Sequence, residues 1–513
     1  MLRDELSELE KNRLEKIERM RAEGIEPYPT HSARDSSSDE AIRRFEQAES
    51  AGQAEPVRVT LAGRLRAIRH MGKLSFAHIE DRGGRLQLMF RVNELGPERL
   101  DAFVRNFDLG DFIEASGTMM RSKRGEVTLL VDDFRMLAKA LFQLPAAKDE
   151  VVDGEVIRHA LLTDPETRYR QRYVDLAVNP EVREIFQART ATLRALRSFL
   201  DGHGFQEVET PILQPIYGGA AAKPFTTYHN ELQQQLFLRI SFELYLKRLI
   251  VGGLERVYEI GRDFRNEGVS FKHNTEFTQL EFYMAYADYH TMMDLAEQMI
   301  SFVAQQVLGT QIVHFNGHEI NLTPPWNRLQ IRQGLIDQAG IDIQAYPTAA
   351  SLSDWMKAKG IAHKPDAPRG KLIGVLMEEY LEPILIQPTF LYDYPRDISP
   401  LAKTKPDDPQ TVERFEGFIG GVELCNAFTE LNDPLEQEKR FLEMGRAYSA
   451  EDEERHPMDE DFLRALAYGM PPTGGFGIGV DRLVMVLTGQ HSIKEVILFP
   501  PLRKEEPGPQ FRE

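Results

Sequence analysis

The stretch Phe264-Arg265-Asn266-Glu267-Gly268-Val269-Ser270-Phe271-Lys272-His273-Asn274-Thr275-Glu276-Phe277-Thr278-Gln279-Leu280-Glu281 decides how the chain is read. Tyr258, Ile260 and Phe264 alternate with polar residues, and residues 276–281 resume an extended pattern. The spacing predicts a strand, a loop over 268–274 and a second strand. Arg265 leaves the first strand and His273 closes the loop. A guanidinium there suits a bidentate grip on a phosphate or carboxylate, with Glu267 accepting from an amino group and Phe277 presenting a ring face. A surface hairpin with an ordinary Arg-Glu pair fits these residues equally well.

Further along, Gly474-Gly475-Phe476-Gly477-Ile478-Gly479-Val480-Asp481-Arg482 runs into the apolar helix-like Leu483-Val484-Met485-Val486-Leu487. Such small residues suit close helix-on-sheet packing, or the approach of a flat ligand to the backbone beside Arg482. Between the two stretches lie Glu416, Glu423, Asn426 and Glu430, with Glu423 and Asn426 inside the strand-like run 418–428. Carboxylates in an apolar setting are costly unless paired or bound to a cation. The spacing of Glu416 and Glu423 alone does not define a metal site.

Working back from the hairpin, Leu193, Leu196 and Leu200 share a helical face, Gly202 and Gly204 supply a stop, and a strand is predicted over 205–210 before Pro211. Helical signals over 291–307, 349–359 and 372–380 interleave with strand-like runs over 256–260, 276–283 and 418–428, a mixed pattern without regular β-α-β alternation. No Gly-x-x-x-x-Gly-Lys-Ser/Thr loop is present, so a nucleotide would be held by another route.

The first part of the chain reads differently. Residues 1–24 form a solvated amphipathic helix, and 30–56 a loose connection with some helix near 41–47. From Val57 the pattern turns to period two. A glycine hairpin at Asp81-Arg82-Gly83-Gly84, a helix over 98–106 and about five short strands predict an oligonucleotide-binding barrel. Over 57–141 there are 15 Lys+Arg and 11 Asp+Glu, a balance of +4, so the rest of the chain carries -22 of its net -18. An acidic total therefore does not exclude an RNA partner. The run 451–461, with seven acids and one Arg, reads as a solvated loop or helix start. The lone Cys425 excludes multi-cysteine zinc and favours a reducing compartment. With no leader-like or membrane-spanning stretch, the expectation is a soluble, cytoplasmic protein with no membrane partner.

Taken together, residues 205–211, Phe264-Arg265-Asn266-Glu267 with Phe277, and Gly477-Ile478-Gly479-Val480-Asp481-Arg482 resemble, in order and position, the three motifs of class II aminoacyl-tRNA synthetases. Gly218-Gly219-Ala220, Glu243-Leu244-Tyr245-Leu246-Lys247-Arg248, His273-Asn274-Thr275-Glu276-Phe277, Tyr392-Asp393-Tyr394-Pro395 and Asn426-Ala427-Phe428-Thr429-Glu430 narrow the resemblance to the bacterial-type class II lysyl-tRNA synthetases. It covers nearly the whole chain. The resemblance implies an α+β fold: a six-stranded antiparallel catalytic sheet flanked by helices, preceded by an OB-fold β-barrel. Its domains would be an N-terminal helical extension (1–56), an anticodon-binding barrel (57–141), a linker (142–180) and a catalytic domain (181–513).

The resemblance also implies a ligase that activates L-lysine with ATP to lysyl-adenylate and pyrophosphate, then transfers lysine to the 3′ end of tRNA(Lys). Arg265 and Arg482 would be catalytic. ATP would contact Arg265, Glu267, His273, Asn274, Phe277, Glu416 and Arg482, with Phe277 and Arg482 sandwiching adenine. Lysine would contact Gly219, Glu243, Arg265, Glu281, Tyr283, Asn426, Phe428 and Glu430, with Glu243 at the α-ammonium and Glu430 with Tyr283 at the ε-ammonium. Glu416 and Glu423 would hold Mg2+, up to three ions per subunit. Arg69, Phe76, Gln87 and Asp133 would read the anticodon, and the first motif would form a homodimer. Phe242, Gly474 and Asp133 depart from the family's usual residues. An aspartate or asparagine enzyme would need a cation facing the substrate side chain, whereas these positions are acidic. A protein-lysylating relative would lack the barrel, and a non-catalytic relative would have lost the arginines or the carboxylates.

Overall fold

Strands whose inward residues alternate with outward ones close into a barrel in the first of two units, Met1–Thr163; the second unit is Asp164–Glu513. The computed structural model describes residues 6–145, 148–152, 155–159, 162–364, 366–447 and 457–503. In the first unit, α1 (Glu8–Ala22) starts with Ser7 and Glu10 capping each other reciprocally. This helix is less solvated than its composition predicts. Ile17 and Met20 are buried, and Arg13 is buried too, donating to the carbonyls of Ala140 (2.8 Å) and Leu109 (3.0 Å). After α2 (Ser38–Ser50) come β1 (Arg58–His70), β2 (Leu74–Asp81), β3 (Gly84–Arg91), α3 (Pro97–Asn106), β4 (Phe112–Arg121) and β5 (Val127–Ala138). The strands close in the order β1-β2-β3-β5-β4. Gly84, at φ 113°, turns the β2–β3 hairpin. Leu61, Ile79, Leu88, Ile113 and Leu129 fill the barrel, and Phe103 of α3 stacks on Phe90 with ring centroids 4.0 Å apart.

The 142–180 segment, expected to be a linker, crosses the boundary between units, with 146–147, 153–154 and 160–161 outside the described residues. Its later part is built into the second unit. Helix Arg172–Val178 carries a fully buried Arg172, bonded to Asp175 (2.5 Å) and to the carbonyl of Lys494 (3.0 Å).

In the second unit, α4 (Pro180–Gly202) begins on a proline at its first turn and ends before Gly204, whose φ of 76° suits only glycine comfortably. There follow β6 (Gln206–Glu207), α5 (Glu243–Val251), β7 (Arg256–Phe264), β8 (Glu276–Ala285), α6 (Tyr289–Leu308), β9 (Asn327–Gln330), β10 (Thr389–Tyr392), β11 (Arg414–Ile419), β12 (Val422–Thr429), β13 (Thr473–Gly479) and α7 (Val480–Thr488). The sheet order is β9-β10-β11-β12-β13-β8-β7-β6. Six central strands are antiparallel, as expected, and short β9 and β6 add a parallel strand at each edge.

Alternation along β8 and β13 assigns the two faces of this sheet. Leu280, Phe282, Phe476 and Ile478 pack with Leu196, Met292, Ile300 and Val484 of α4, α6 and α7. Gln279, Glu281, Tyr283, Gly475 and Gly477 line the cavity on the opposite face. Two sequence expectations need correction. The run 418–428 is not one strand but the end of β11, a hairpin at Gly420 and Gly421 (φ 60° and 75°), and β12. The strand expected over 205–210 is regular only at Gln206–Glu207; Val208 still donates to the Tyr258 carbonyl (2.9 Å), but the Thr210 N–H turns to the Glu259 carboxylate (3.0 Å). Of the acidic run, 451–456 lie outside the described residues; Asp459 caps helix Glu460–Ala467.

Candidate active site

Glu430 is 1% exposed, yet neither carboxylate oxygen meets a hydrogen-bond donor in good geometry. Among the described residues its one cationic contact is the Lys247 ammonium, an ion pair made across from α5. Glu243, at the first turn of α5, takes the same ammonium at 2.5 Å, as an i,i+4 Glu-to-Lys pair on a helix should. Lys247 is fully buried, with the rings of Phe428 and Phe462 5.5 and 5.8 Å away. Glu281, 4% exposed, accepts from Ser241 Oγ (2.8 Å), Gln279 Nε2 (2.8 Å) and Tyr283 Oη (3.1 Å). Glycines make room for this acidic cluster. A Cβ on Gly475 would fall 1.9 Å from Glu430 Oε1, and one on Gly219, at φ 87°, 2.9 Å from the Glu243 Cβ. At Gly474 a Cβ would meet the Met292 Cγ at 2.9 Å, so the glycine at this position accommodates that methionine.

These carboxylates form the floor of a cavity of about 850 Å³. It is lined by all the residues expected to bind ATP, lysine or magnesium: Gly219, Glu243, Arg265, Glu267, His273, Asn274, Phe277, Glu281, Tyr283, Glu416, Glu423, Asn426, Phe428, Glu430 and Arg482. Arg265 emerges where β7 ends. Its guanidinium lies 5.0 Å from the Phe277 ring and, among the described residues, reaches only the Ile240 carbonyl, at 3.4 Å, so its donors remain available to a ligand. Arg482, at the start of α7, donates to the Glu423 carbonyl (2.7 Å) and carboxylate (3.1 Å). Next to it Asp481 is buried, accepting from Arg189 of α4 (2.5 Å) and the Thr278 N–H of β8 (2.8 Å), which ties the helix before the first motif to the strand after Phe277 and to the third motif. His273 Nδ1 pairs with Ser270 Oγ (2.9 Å), and burial together with Arg482 and Lys272 holds its pKa down. Asn274 donates to the Glu276 carbonyl (2.6 Å).

Arg414, which sequence reasoning missed, organises the opposite wall. It donates to Asn426 Oδ1 (2.9 Å), Glu416 Oε1 (2.7 Å) and Ser399 Oγ (2.9 Å), leaving the Asn426 amide nitrogen as a donor for a ligand. Tyr394 Oη donates to the other Glu416 oxygen at 2.7 Å. The register slips where Gly417 pairs Cys425 but Phe418 pairs Glu423, making Leu424 an extra residue. That bulge brings Glu423 onto the cavity face with Asn426 and Phe428, which strict alternation would not. Burial and the Glu423 charge push Glu416 up to about 7, against Arg414. Burial also works against the Glu423 charge, but the Arg482 guanidinium more than offsets it and holds its carboxyl below the usual range. Two crowded carboxylates fit a hard cation that takes its other ligands from phosphates and water. Among the described residues no group of three or more His, Cys, Asp or Glu could hold a metal unaided.

In the first unit, Arg69 pairs with Phe76 and His78 with Gln87 across β1, β2 and β3, and Phe76 is half-buried beside exposed Arg69. Gln87 donates to Glu126 (2.6 Å) and accepts from Thr128 (3.0 Å). The structure groups these three on adjacent strands. Asp133 stands further along β5, ion-paired with Arg99 of α3.

Comparison with known proteins supplies the family. Residues 164–503 match the family described as tRNA synthetases class II (D, K and N), and 59–137 match an OB-fold nucleic acid binding domain. The lysine–tRNA ligase of Roseiflexus castenholzii is 51% identical over 98% of this chain and 100% of its own length. The chain belongs to the class II lysine–tRNA ligase family. Lysine–tRNA ligases of Moorella thermoacetica (51% identical, 96% of this chain, 97% of theirs) and Chloroflexus aurantiacus (49%, 98% and 99%) are similarly close. Membership in this family gives the two units their activities, an OB-fold that binds nucleic acid and a class II ligase domain. Among the described residues no helix is long and apolar enough to cross a membrane.

Proposed function

We propose that the cavity of the second unit makes lysyl-adenylate by a division of labour carried by one observation, the buried acidic floor of Glu243, Glu281 and Glu430. The protein is a ligase that uses ATP to join lysine to tRNA. The lysine carboxylate attacks the α-phosphorus of ATP and pyrophosphate leaves; a ribose hydroxyl at the tRNA 3′ end then attacks the lysyl carbonyl and AMP leaves. The attacking carboxylate is already ionised at neutral pH, so positioning and charge neutralisation supply the rate.

Arg265 brings the carboxylate and the α-phosphate together by donating to both. Glu267 accepts from the adenine amino group, and Phe277 and Arg482 take the adenine faces. His273 and Asn274 shape the triphosphate site, with Arg482 reaching the γ-phosphate. Glu243 and the Gly219 carbonyl receive the α-ammonium, and Glu430 and Tyr283 the ε-ammonium, supported by Glu281. Asn426, oriented by Arg414, donates to the substrate carboxylate beside Phe428. Glu416 and Glu423 would hold magnesium, which would neutralise charge on the phosphates. On the barrel, Phe76 stacks on an anticodon base of tRNA(Lys) while Arg69 and Gln87 contact base or backbone, a chemistry suited to single-stranded RNA; Asp133 takes part through Arg99. Half-exposed Ile212 and Leu213, directly after the first motif, support a homodimer contact there. The buried, unpaired Cys425 supports a reducing, cytoplasmic setting.

Incubation with total bacterial tRNA, ATP and labelled amino acids tests this reading. Lysine alone is expected to become acid-precipitable, and an altered tRNA(Lys) anticodon is expected to weaken charging. Charging by aspartate or asparagine instead would overturn it.

A pH effect follows from the acidic floor. Burial, with the like charges of Asp263 and Glu243, pushes Glu281 up to about 8, and burial raises Glu243 and Glu430 as well. Carboxyls raised above their unfolded value contribute stability that is complete below the unfolded pKa of about 4.3 and is lost as pH rises through about 8. Lysine's ammonium groups relieve that repulsion. Saturating lysine is therefore expected to raise Tm by about 2 °C more at pH 8.5 than at pH 6 in scanning fluorimetry. Equal shifts at both pH values would contradict the assignment.

A further inference from the structure

We propose that Lys247 is a positioning residue for lysine recognition, its buried ammonium bridging Glu243 and Glu430 and so holding the two substrate-binding carboxylates at a fixed separation. The inference rests on the assignment of those carboxylates to the substrate's two ammonium groups. The bridge joins parts of the chain far apart in sequence, Glu243 on α5 and Glu430 just beyond β12, and the ammonium contacts both. Among the described residues it is the one cation in contact with Glu430, both of whose carboxylate oxygens are sealed from solvent and without another well-placed donor.

A purely structural role explains this poorly. A buried ion pair is often no more stabilising than an apolar replacement of similar volume, because desolvation offsets the attraction. The charge balance points to recognition instead. Glu243 and Glu430 share one buried ammonium, which leaves the bridged pair one positive charge short before substrate enters, while Glu281, which Lys247 does not contact, is pushed up to about 8 and holds a proton near neutral pH. Arg414 acts on Glu243 from the neighbouring wall, and the neutral Tyr283 hydroxyl donates to Glu281. Burial opposes the charge on Lys247, but Glu243 and Glu430 more than compensate and keep it protonated. Without that ammonium, Glu243 and Glu430 would share one dry site with no cation between them, and a further carboxyl would take a proton. A protonated carboxyl is no partner for an ammonium group, so lysine would have to displace the proton.

Kinetics of ATP–pyrophosphate exchange between pH 6.5 and 9 for wild type and Lys247→Met test this, since methionine matches the length of the apolar stem and lacks the ammonium. The lysine KM of the variant is expected to exceed that of wild type by 10-fold or more at pH 7, with the ratio shrinking toward pH 9. The ATP KM should stay within two-fold. Lys247→Gln serves in the same way if the methionine variant does not fold. An unchanged lysine KM, or a rise that is equal at every pH, overturns the proposal. Glu430→Gln run alongside separates the two levels. If it leaves the lysine KM unchanged, the pocket assignment itself fails; if it raises the KM and Lys247→Met does not, only the role of Lys247 fails.

Discussion

Glu430→Gln raises the lysine KM of ATP–pyrophosphate exchange by about 100-fold, while the ATP KM stays within about two-fold. Glutamine keeps the shape of the side chain and removes the charge, so the ε-ammonium loses its ionic partner in a site closed to water. Breaking a charged hydrogen-bonded pair in such a setting costs about 2–5 kcal/mol, and each 1.4 kcal/mol is a factor of ten. The lower half of that range gives the expected change. The selectivity for one substrate follows from position, since Glu430 lies 1% exposed on the cavity floor beside Lys247, and ATP is assigned to the Arg265, Phe277 and Arg482 side. Gly475→Ala should give a weaker version of the same signature, because its Cβ would fall on the Glu430 carboxylate and displace it. Parallel rises in both KM values would indicate a general distortion of the fold and contradict the assignment.

Arg265→Ala lowers kcat/KM for lysine activation by about 10³-fold without loss of fold. The side chain is assigned to bridge two anionic reactants, and removing one preorganised donor to developing charge typically costs about 10²–10³ in rate. Here the same guanidinium also offsets repulsion between a carboxylate and a phosphate, which places the effect at the upper end. Its contribution to folding is small, since its contacts to protein are two 3.4 Å approaches to the Ile240 carbonyl and a ring face at 5.0 Å. The Tm of the variant should therefore remain within about 2 °C of wild type. Steady-state exchange and thermal unfolding measured together check this, and a variant retaining a tenth of wild-type kcat/KM would exclude the role.

How much of this the sequence carries depends on whether the partners are close along the chain. The hairpin around Arg265 and Phe277 is legible because both strands and the loop are contiguous, and the structure forms it where the alternation predicts. The glycines before Arg482 announce close approach, although only the structure identifies what approaches: Glu430 at Gly475, Met292 at Gly474. Glu423 and Asn426 are three apart, a spacing that places them on opposite faces of a regular strand. The bulge at Leu424 reverses that, and a bulge leaves no signature in a run of apolar residues. Lys247 was hidden for a different reason. Glu243 and Lys247 at i,i+4 look like any exposed helical ion pair, and only the packing of Phe428, Phe462 and Glu430 around them shows that the pair is buried. Arg414 likewise reads as an ordinary strand cation until the sheet sets it between Asn426 and Glu416. Contiguous motifs identified the family; the long-range contacts supply the electrostatics.

Those electrostatics are tested most directly by amino-acid-dependent exchange of labelled pyrophosphate into ATP, run with magnesium, without tRNA, over a panel of the twenty amino acids. A buried acidic floor in which Glu243 and Glu430 are assigned one ammonium group of the substrate each favours a substrate carrying two positive groups, so exchange should depend on lysine and be near background with aspartate, asparagine or no amino acid. Exchange supported by aspartate, or proceeding without any amino acid, would contradict the account.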